Sequence, residues 1–266
     1  MKNILLLVHD DAGQEARLQT ALDLVRAFGG HLRCAGVLVV PPLIDDSYSG
    51  GIGAAMLFAD ERERETRNRA KLEERLARED VPWDWVEGIG PVAECIVEAA
   101  ILADLVVLNR QLDHFPAPDM ANIASRILMQ ARKPVVAVPD TLERFEPGRA
   151  LIAWDGEGSA AETMRACVPL LALADAVRIV MISEKGDIAD PAEAATYLAR
   201  HGVEASVAVI AGDGRKADAQ ICEEAAAWDA DYIVMGAYGH GRLAEAFGGV
   251  TRRMLASCQW PLVLGH

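Results

Sequence analysis

The sequence contains an internal duplication, and this repeat constrains the fold more than any other feature. Three pairs of apolar segments match: Leu5–Asp10 with Ala150–Asp155 at a separation of 145 residues, and Ala103–Leu108 with Ala230–Met235 and Lys133–Val138 with Trp260–Gly265, both at a separation of 127 residues. The chain therefore consists of two similar halves, of which the first has about 18 extra residues between matched segments. We place this insertion around residues 41–69, where Pro-Pro, Ser-Gly-Gly and a long charged run interrupt the pattern.

Each half alternates five short β-branched, apolar runs with helical patterns. Such alternation predicts an α/β fold, here two tandem open parallel five-stranded sheets with helices on both faces. The predicted domains are residues 1–140 and 149–266, joined by a linker that contains Pro147-Gly148. Ligands of such sheets bind beyond the carboxyl ends of the strands, so we expect the functional residues there.

Composition excludes several classes of partner. The formal net charge of −14 argues against binding to nucleic acid, which requires clustered Lys and Arg. The sequence has no apolar run close to the ~18 residues of a membrane span and no signal-peptide pattern, so we predict no membrane partner and a cytoplasmic protein. The charged run 60–75 mixes signs at helical spacing and predicts a solvated helix face.

The cysteines and the run His9-Asp10-Asp11 could be reactive or metal-binding, but the sequence favours a structural role for both. The five cysteines, at positions 34, 95, 167, 222 and 258, lie in apolar segments without a C-x-x-C pair, which favours buried small side chains over ligands or bridges. The run His9-Asp10-Asp11 could suggest a metal or acid/base cluster. Consecutive residues diverge after a strand, however, and no second set of ligands is spaced to join them. We therefore predict no metal site and no enzyme.

The segment 236–250 connects a predicted strand, 231–235, to a final helix that begins near Gly249. It contains glycines at positions 236, 239, 241, 248 and 249. Amide groups at a helix N-terminus lack intrahelical partners and favour an anion, and glycines let the backbone approach it closely. This connection is therefore predicted to bind phosphate groups. The alternative is that these glycines serve only close packing.

The spacing Gly236-x-x-Gly239, nine residues, Gly249 resembles the G-x2-G-x9-G-[S/T] loop of the universal stress protein (UspA-like) family. The strand ending in Asp155-Gly156, the closing Cys258-x-x-Pro261 segment and the duplication resemble its tandem two-domain members. The resemblance implies an adenine nucleotide alpha hydrolase-like fold and a stress-response regulatory protein that binds ATP, with the participation of Mg²⁺ left open. It also implies that the two halves pair their last strands as a pseudo-dimer within one chain, and it allows a homodimer of chains.

Carried over by position, the resemblance implies that Gly236, Gly239 and Gly249 contact the phosphates and ribose, Asp155 the adenosine and Ile182 the adenine. The residue after the third glycine is Val250 rather than Ser or Thr, and Thr251 follows one place late. Losing one hydroxyl contact weakens binding by about 1 kcal/mol, so we expect weakened binding through the remaining amides. A second reading of Asp155 is a turn or cap, beside the capping-box pattern Ser159-Ala-Ala-Glu162.

The first half departs from the loop pattern. Asn109, Leu112 and Asn122 replace the three glycines, and Pro116 and Pro118 lie between them. We expect this half not to hold phosphates in the family manner. Two alternatives to ATP binding stay open: an interaction module without nucleotide on the same fold, and a slow ATPase, for which the sequence displays no catalytic base. The insertion, with a Ser49–Gly53 segment predicted as loop, is expected to form a lid or a docking surface.

Overall fold

The structure is a computed structural model, and it describes residues 1–39, 50–110, 120–183, 190–237 and 249–266. The elements of the first half are β1 Asn3–Val8, α1 Gln14–Phe28, β2 His31–Leu38, α2 Gly50–Leu76, β3 Trp83–Ile89, α3 Val92–Ala99, β4 Leu105–Asn109, α4 Met120–Ala131 and β5 Val135–Val138. Those of the second half are β6 Arg149–Ala153, α5 Gly158–Ala166, α6 Val168–Leu171, β7 Ala176–Ser183, α7 Pro191–Arg200, β8 Ala205–Ala211, α8 Ala217–Ala227, β9 Tyr232–Gly236, α9 Gly249–Ser257 and β10 Leu262–Gly265.

The strands form one ten-stranded sheet in the order β3-β2-β1-β4-β5-β10-β9-β6-β7-β8. Within each half all pairings are parallel, for example Leu6 with Cys34 and Ile152 with Ile179. The predicted pair of parallel five-stranded sheets with helices on both faces is confirmed. In each half the strand order reverses beside its first strand, and the carboxyl ends of the strands at such a reversal are where ligands of open α/β sheets bind.

The two halves join through their last strands. Strand β10 pairs antiparallel with β5, with Val263 opposite Val136 at the centre of the pairing. All the paired side chains here are fully buried. The edges that the sequence predicted to pair therefore cover each other, and the strands left at the ends of the sheet are β3 and β8.

Alternation along the strands divides the core into two layers. Ile4, Leu6 and Val8 of β1 pack on one face of the sheet, and Leu5 and Leu7 pack on the other. Both layers run continuously through the two halves, because each includes residues of β1 and of β10. Among the described residues, no helix has the length and apolar character needed to cross a bilayer.

Helix α2 connects β2 to β3, as α7 connects β7 to β8, but it has 27 residues against 10 and so contains much of the insertion. It packs against α1. The Gln14 and Asn68 side-chain amides exchange two hydrogen bonds of 2.7 Å, and Arg75 pairs with Glu15. The prediction of a solvated face is wrong for Glu61 and Asn68, which are 7% and 2% exposed. Residues 50–53, predicted as loop, lie in the first turn of α2, whereas Ser49 falls outside the described residues.

Candidate functional site

A cavity of about 260 Å³ lies at the carboxyl ends of β6, β7 and β9, between α8 and α9. Six of the residues predicted to bind a nucleotide line it: Asp155, Ile182, Gly236, Gly249, Val250 and Thr251. The seventh, Gly239, lies outside the described residues. The topology thus gathers in one place side chains that are up to 96 positions apart in the sequence.

Asp155 is exposed at the rim of this cavity, directly after β6. Its Oδ1 accepts a hydrogen bond of 2.9 Å from the Glu157 amide, and Gly156 has φ +78°, a left-handed turn that favours glycine. The predicted turn role is therefore present. The capping box is wrong, because α5 begins at Gly158 with Glu157 as its N-cap and places Ser159 inside the helix.

Gly236 ends β9 and packs tightly against the first turn of α5. A Cβ atom at this position would lie 2.5 Å from the Ala160 nitrogen, closer than any side chain tolerates. The residue must therefore be glycine for helix packing, whatever else occupies the cavity. At Gly236 the close packing that the sequence offered as the alternative to phosphate contact is therefore present.

The N-terminus of α9 forms one wall of the cavity through Gly249, Val250 and Thr251. Amides in the first turn of a helix have no intrahelical acceptor, and the helix dipole places partial positive charge there. Thr251 is 3% exposed, so its hydroxyl is largely shielded from solvent. This wall is suited to an anionic group.

Arg253 does not line the cavity but brings a cation close to Gly249. Its Nη1 lies 2.9 Å from the point where a Cβ on Gly249 would stand, and its Nε donates a 2.7 Å hydrogen bond to Asp218 of α8. This bond holds the pKa of Asp218 below its ordinary value. Sequence reasoning missed Arg253, although its position one helical turn after Gly249 could have indicated it.

The opposite wall is apolar and includes Val180, Ile182, Ile221 and Met235. Among the described lining residues, Asp155 is the only titratable group. Small-molecule sites start at roughly 300 Å³ and are mostly apolar with a few placed polar groups. The described part of the cavity, at about 260 Å³, lies just below this size and has the same character, an apolar lining with one carboxylate.

The equivalent corner of the first half is filled by side chains from α2. His9, directly after β1, is 5% exposed, and its Nδ1 lies 3.0 Å from Glu65 Oε1. Arg64 contacts His9 Nε2 at 3.4 Å and Glu61 Oε1 at 2.8 Å. Burial raises the pKa of Glu61, and the charge of Arg64 opposes that rise.

His9, Glu61 and Glu65 each bring a possible metal-ligating atom within 4.8 Å of the others. Sequence reasoning dismissed His9 because no second set of ligands was spaced to join it, and α2 supplies that set. Arg64 already provides a cation within 3.9 Å of Glu65, which disfavours a second cation beside it. We therefore describe this group as a buried polar cluster that fastens α2 over the end of β1.

The structure describes only some of the residues that stand in place of the loop glycines in the first half. Asn109, at the end of β4, is 1% exposed, and its amide atoms have no hydrogen-bond partner among the described residues. Leu112, Pro116 and Pro118 lie outside the described residues. Asn122 is in α4, and its side chain is likewise outside the described part of the chain.

A larger cavity, of about 610 Å³, lies between α2 and strands β2 and β3. Trp85, Phe58 and the aliphatic part of Arg69 contribute to its lining, and the Arg69 guanidinium lies 5.1 Å from the centre of the Trp85 ring. Among the described residues, its lining includes neither a strand-terminal aspartate nor the start of a helix that follows a strand end. Although this cavity is larger, it is therefore not the equivalent of the cavity in the second half.

Comparison with known proteins gives a family for the chain. The model of the universal stress protein family matches residues 1–139 and 151–265. This chain belongs to that family. No curated protein matches the sequence of this universal stress protein.

Solved structures show the same fold at low sequence identity. A universal stress protein from Archaeoglobus fulgidus DSM 4304 is 16% identical, with 99% of this chain and 97% of that chain covered and a TM-score of 0.75. A functionally unknown protein from Pseudomonas aeruginosa PAO1 is 18% identical, with 100% and 92% covered and a TM-score of 0.58. A putative universal stress protein from Pseudomonas aeruginosa UCBPP-PA14 is also 18% identical, with 100% and 93% covered and a TM-score of 0.57.

Proposed function

We propose that this universal stress protein is a stress-response regulatory protein that binds an adenine nucleotide, ATP, in its second half. The observation that carries the proposal is that Asp155, Ile182, Gly236 and the start of α9, predicted separately from the sequence, line one cavity. The first half takes no part in nucleotide binding, because side chains of α2 fill its corner.

In the proposed orientation, the adenine faces the apolar wall of the cavity and the phosphates face the start of α9. Adenine lies against Ile182 and Ile221, whose apolar surface suits a flat base, and Asp155 accepts a hydrogen bond from the ribose. The phosphates lie at the N-terminus of α9, near the Arg253 guanidinium. Since Asp155 is the one carboxylate in the described lining, Mg²⁺ is held mainly by the phosphates themselves.

The proposed role is binding and not catalysis. Hydrolysis needs a group that positions or deprotonates water near the γ-phosphate, and Asp155 lies by the adenosine in this orientation. All five cysteines are free, which suits a reducing compartment such as the cytoplasm. A homodimer of chains would use β8 at the end of the sheet, where Val207 and Val209 are 41% and 58% exposed.

A second candidate function is that of an interaction module. Met56 and Leu57, near the start of α2, are 64% and 47% exposed, which favours a docking role for the insertion. This role is compatible with nucleotide binding in the other half. It becomes the leading function if the second half binds no nucleotide.

Titration calorimetry with ATP and Mg²⁺ tests the nucleotide proposal. We expect wild-type protein to bind ATP, Asp155→Ala to bind about tenfold more weakly, and Asp10→Ala, at the matching position of the first half, to bind as wild type. Arg253→Gln should weaken ATP binding more than adenosine binding, because the guanidinium lies on the phosphate side. Absence of heat with wild-type protein, or equal effects of Asp155→Ala and Asp10→Ala, contradicts the proposal.

A further inference from the structure

Two of the five cysteines, Cys222 and Cys258, lie close together in the second half, and neither has a role in the proposed nucleotide site. The Cys222 thiol on α8 lies beside the end of α9, where Cys258 directly follows the helix, and the two thiols interact. Cys222 Sγ also lies 3.7 Å from the Met254 sulfur. Cys258 is 1% exposed, whereas Cys222 is half-buried and open on one side to solvent.

A buried cation faces this pair from the other half of the molecule. Arg110 follows β4 in the first half, and its Nη1 approaches the Met254 carbonyl oxygen of α9 at 3.5 Å. Its Nε is buried without a hydrogen-bond partner among the described residues, and burial lowers its pKa. Negative charge on either thiol would offset the cost of burying this guanidinium.

The two thiols differ in their readiness to ionise. The interaction with the Cys258 thiol, together with the charge of Arg110, holds the pKa of Cys222 below its ordinary value against burial and the charge of Asp218. The same interaction and burial raise the pKa of Cys258. Since the thiolate is the nucleophile, Cys222 is the reactive member of the pair.

The internal repeat supplies a natural comparison. At the separation of 127 residues, Cys95 on α3 corresponds to Cys222, but Ala131 corresponds to Cys258 and Ala237 corresponds to Arg110. The first half thus has the half-buried cysteine without its partner thiol or the cation. Burial and the charges of Glu98 and Glu94 raise the pKa of Cys95.

We propose that Cys222 and Cys258 are a peroxide-sensitive dithiol, in which Cys222 is oxidised first and Cys258 then closes a disulfide between α8 and the end of α9. The Cys222 thiolate attacks one oxygen of a hydroperoxide, the O–O bond breaks, and a sulfenic acid forms while the other oxygen leaves as water or an alcohol after taking a proton. The Cys258 sulfur then attacks the Cys222 sulfur and displaces hydroxide, which leaves as water with the Cys258 proton. Two thiols are oxidised to one disulfide, and one peroxide is reduced.

Peptide mapping of the full-length protein after hydrogen peroxide treatment tests this proposal. Trypsin places Cys222 in the peptide 217–242 and Cys258 in the peptide 254–266, so the disulfide links two otherwise separate peptides. We expect the linked pair to form in wild-type protein and to disappear on reduction with dithiothreitol. If both cysteines stay free thiols while Cys95 is oxidised, the proposal is overturned.

Three variants separate the roles within the pair. Cys258→Ser should leave a sulfenic acid on Cys222 that dimedone traps, whereas Cys95→Ser should form the linked peptides as wild type does. Arg110→Met should slow oxidation of Cys222 about fivefold at pH 7, because the thiolate loses its cation. Thermal unfolding verifies that each variant is folded. Oxidation of Cys222 no faster than that of Cys95 in the same wild-type sample also overturns the proposal.

Discussion

The corners after β1 and after β6 occupy equivalent places in the two halves and are built in opposite ways. After β1, polar side chains cross from helix to strand and fill the space, with His9 against Glu65 and Arg64. After β6, the chain turns at Gly156 and leaves a cavity edged by Asp155. The same strand order therefore supports both a closed corner and an open one, and the choice depends on a few side chains and on the length of the helix between the second and third strands, which is 27 residues for α2 and 10 for α7.

The helix that follows each corner shows the same contrast. In the first half, the fully buried Arg17 on α1 donates hydrogen bonds to the Leu7 and His9 carbonyl oxygens and to both oxygens of Asp11. The corresponding residue of α5 is Glu162, which is exposed. The first corner is thus held by a buried ion pair, and the second by close backbone packing at Gly236.

Removing that ion pair should produce the largest effect. Arg17→Met leaves the Asp11 carboxylate, 4% exposed, without its partner, and we expect the free energy of unfolding to fall by about 3–5 kcal/mol. Denaturant titration measures this loss. Glu162→Met at the matched exposed position should change stability by less than about 0.5 kcal/mol. Similar losses in the two variants would show that the corners are not built differently.

Packing at the end of β9 should have the next largest effect. Gly236→Ala places a methyl group against the Ala160 backbone, and we expect a loss of about 2–3 kcal/mol, also measured by denaturant titration. Gly158→Ala is the control, because a Cβ there meets no atom within 4 Å, and it should be neutral or slightly stabilising. A Gly236→Ala variant as stable as wild type would contradict the close contact between β9 and α5.

A hydroxyl side chain at position 250, at the start of α9, should strengthen ATP binding at the open corner. Val250→Ser should strengthen ATP binding about fivefold, the effect of one added hydrogen bond of about 1 kcal/mol. Val250→Ala controls for the loss of side-chain volume and should not strengthen it. Titration calorimetry measures the ATP affinity of both variants and of wild type. If Val250→Ser binds ATP no more tightly than wild type, position 250 does not contact the phosphates.

The smallest expected effect is a pH dependence of stability that arises from Glu61 in the closed corner. Burial raises the pKa of Glu61, so the folded state binds the carboxyl proton more tightly than the unfolded state does. The contribution of Glu61 to stability is therefore full below its ordinary pKa of 4.5 and is lost as the pH rises through its higher pKa in the folded state. The Tm difference between Glu61→Gln and wild type should therefore increase from pH 4 to pH 7 by about 2 °C. Glu63→Gln, whose side chain is 73% exposed on the same helix, should show no such trend.

The sequence predicted the repeat, the strands and the open corner because these depend on local period and on glycine spacing. It could not predict the closed corner, since the meeting of His9 with Glu65 depends on how α2 packs over the sheet, and that angle is a tertiary property. It offered phosphate contact and close packing as alternative roles for Gly236 and could not choose between them, because the contact with Ala160 depends on how α5 packs against β9. The cysteine pair was missed for the same reason, because 36 residues separate its members in the sequence.

The antiparallel pairing of Val136 with Val263 has an evolutionary consequence. In a dimer of identical chains, every substitution occurs on both sides of the symmetry axis, so the two sites must change together. Here the axis passes through a single polypeptide, and a change on one side leaves the other untouched. One corner can therefore carry a longer helix and lack the loop glycines while its counterpart stays open.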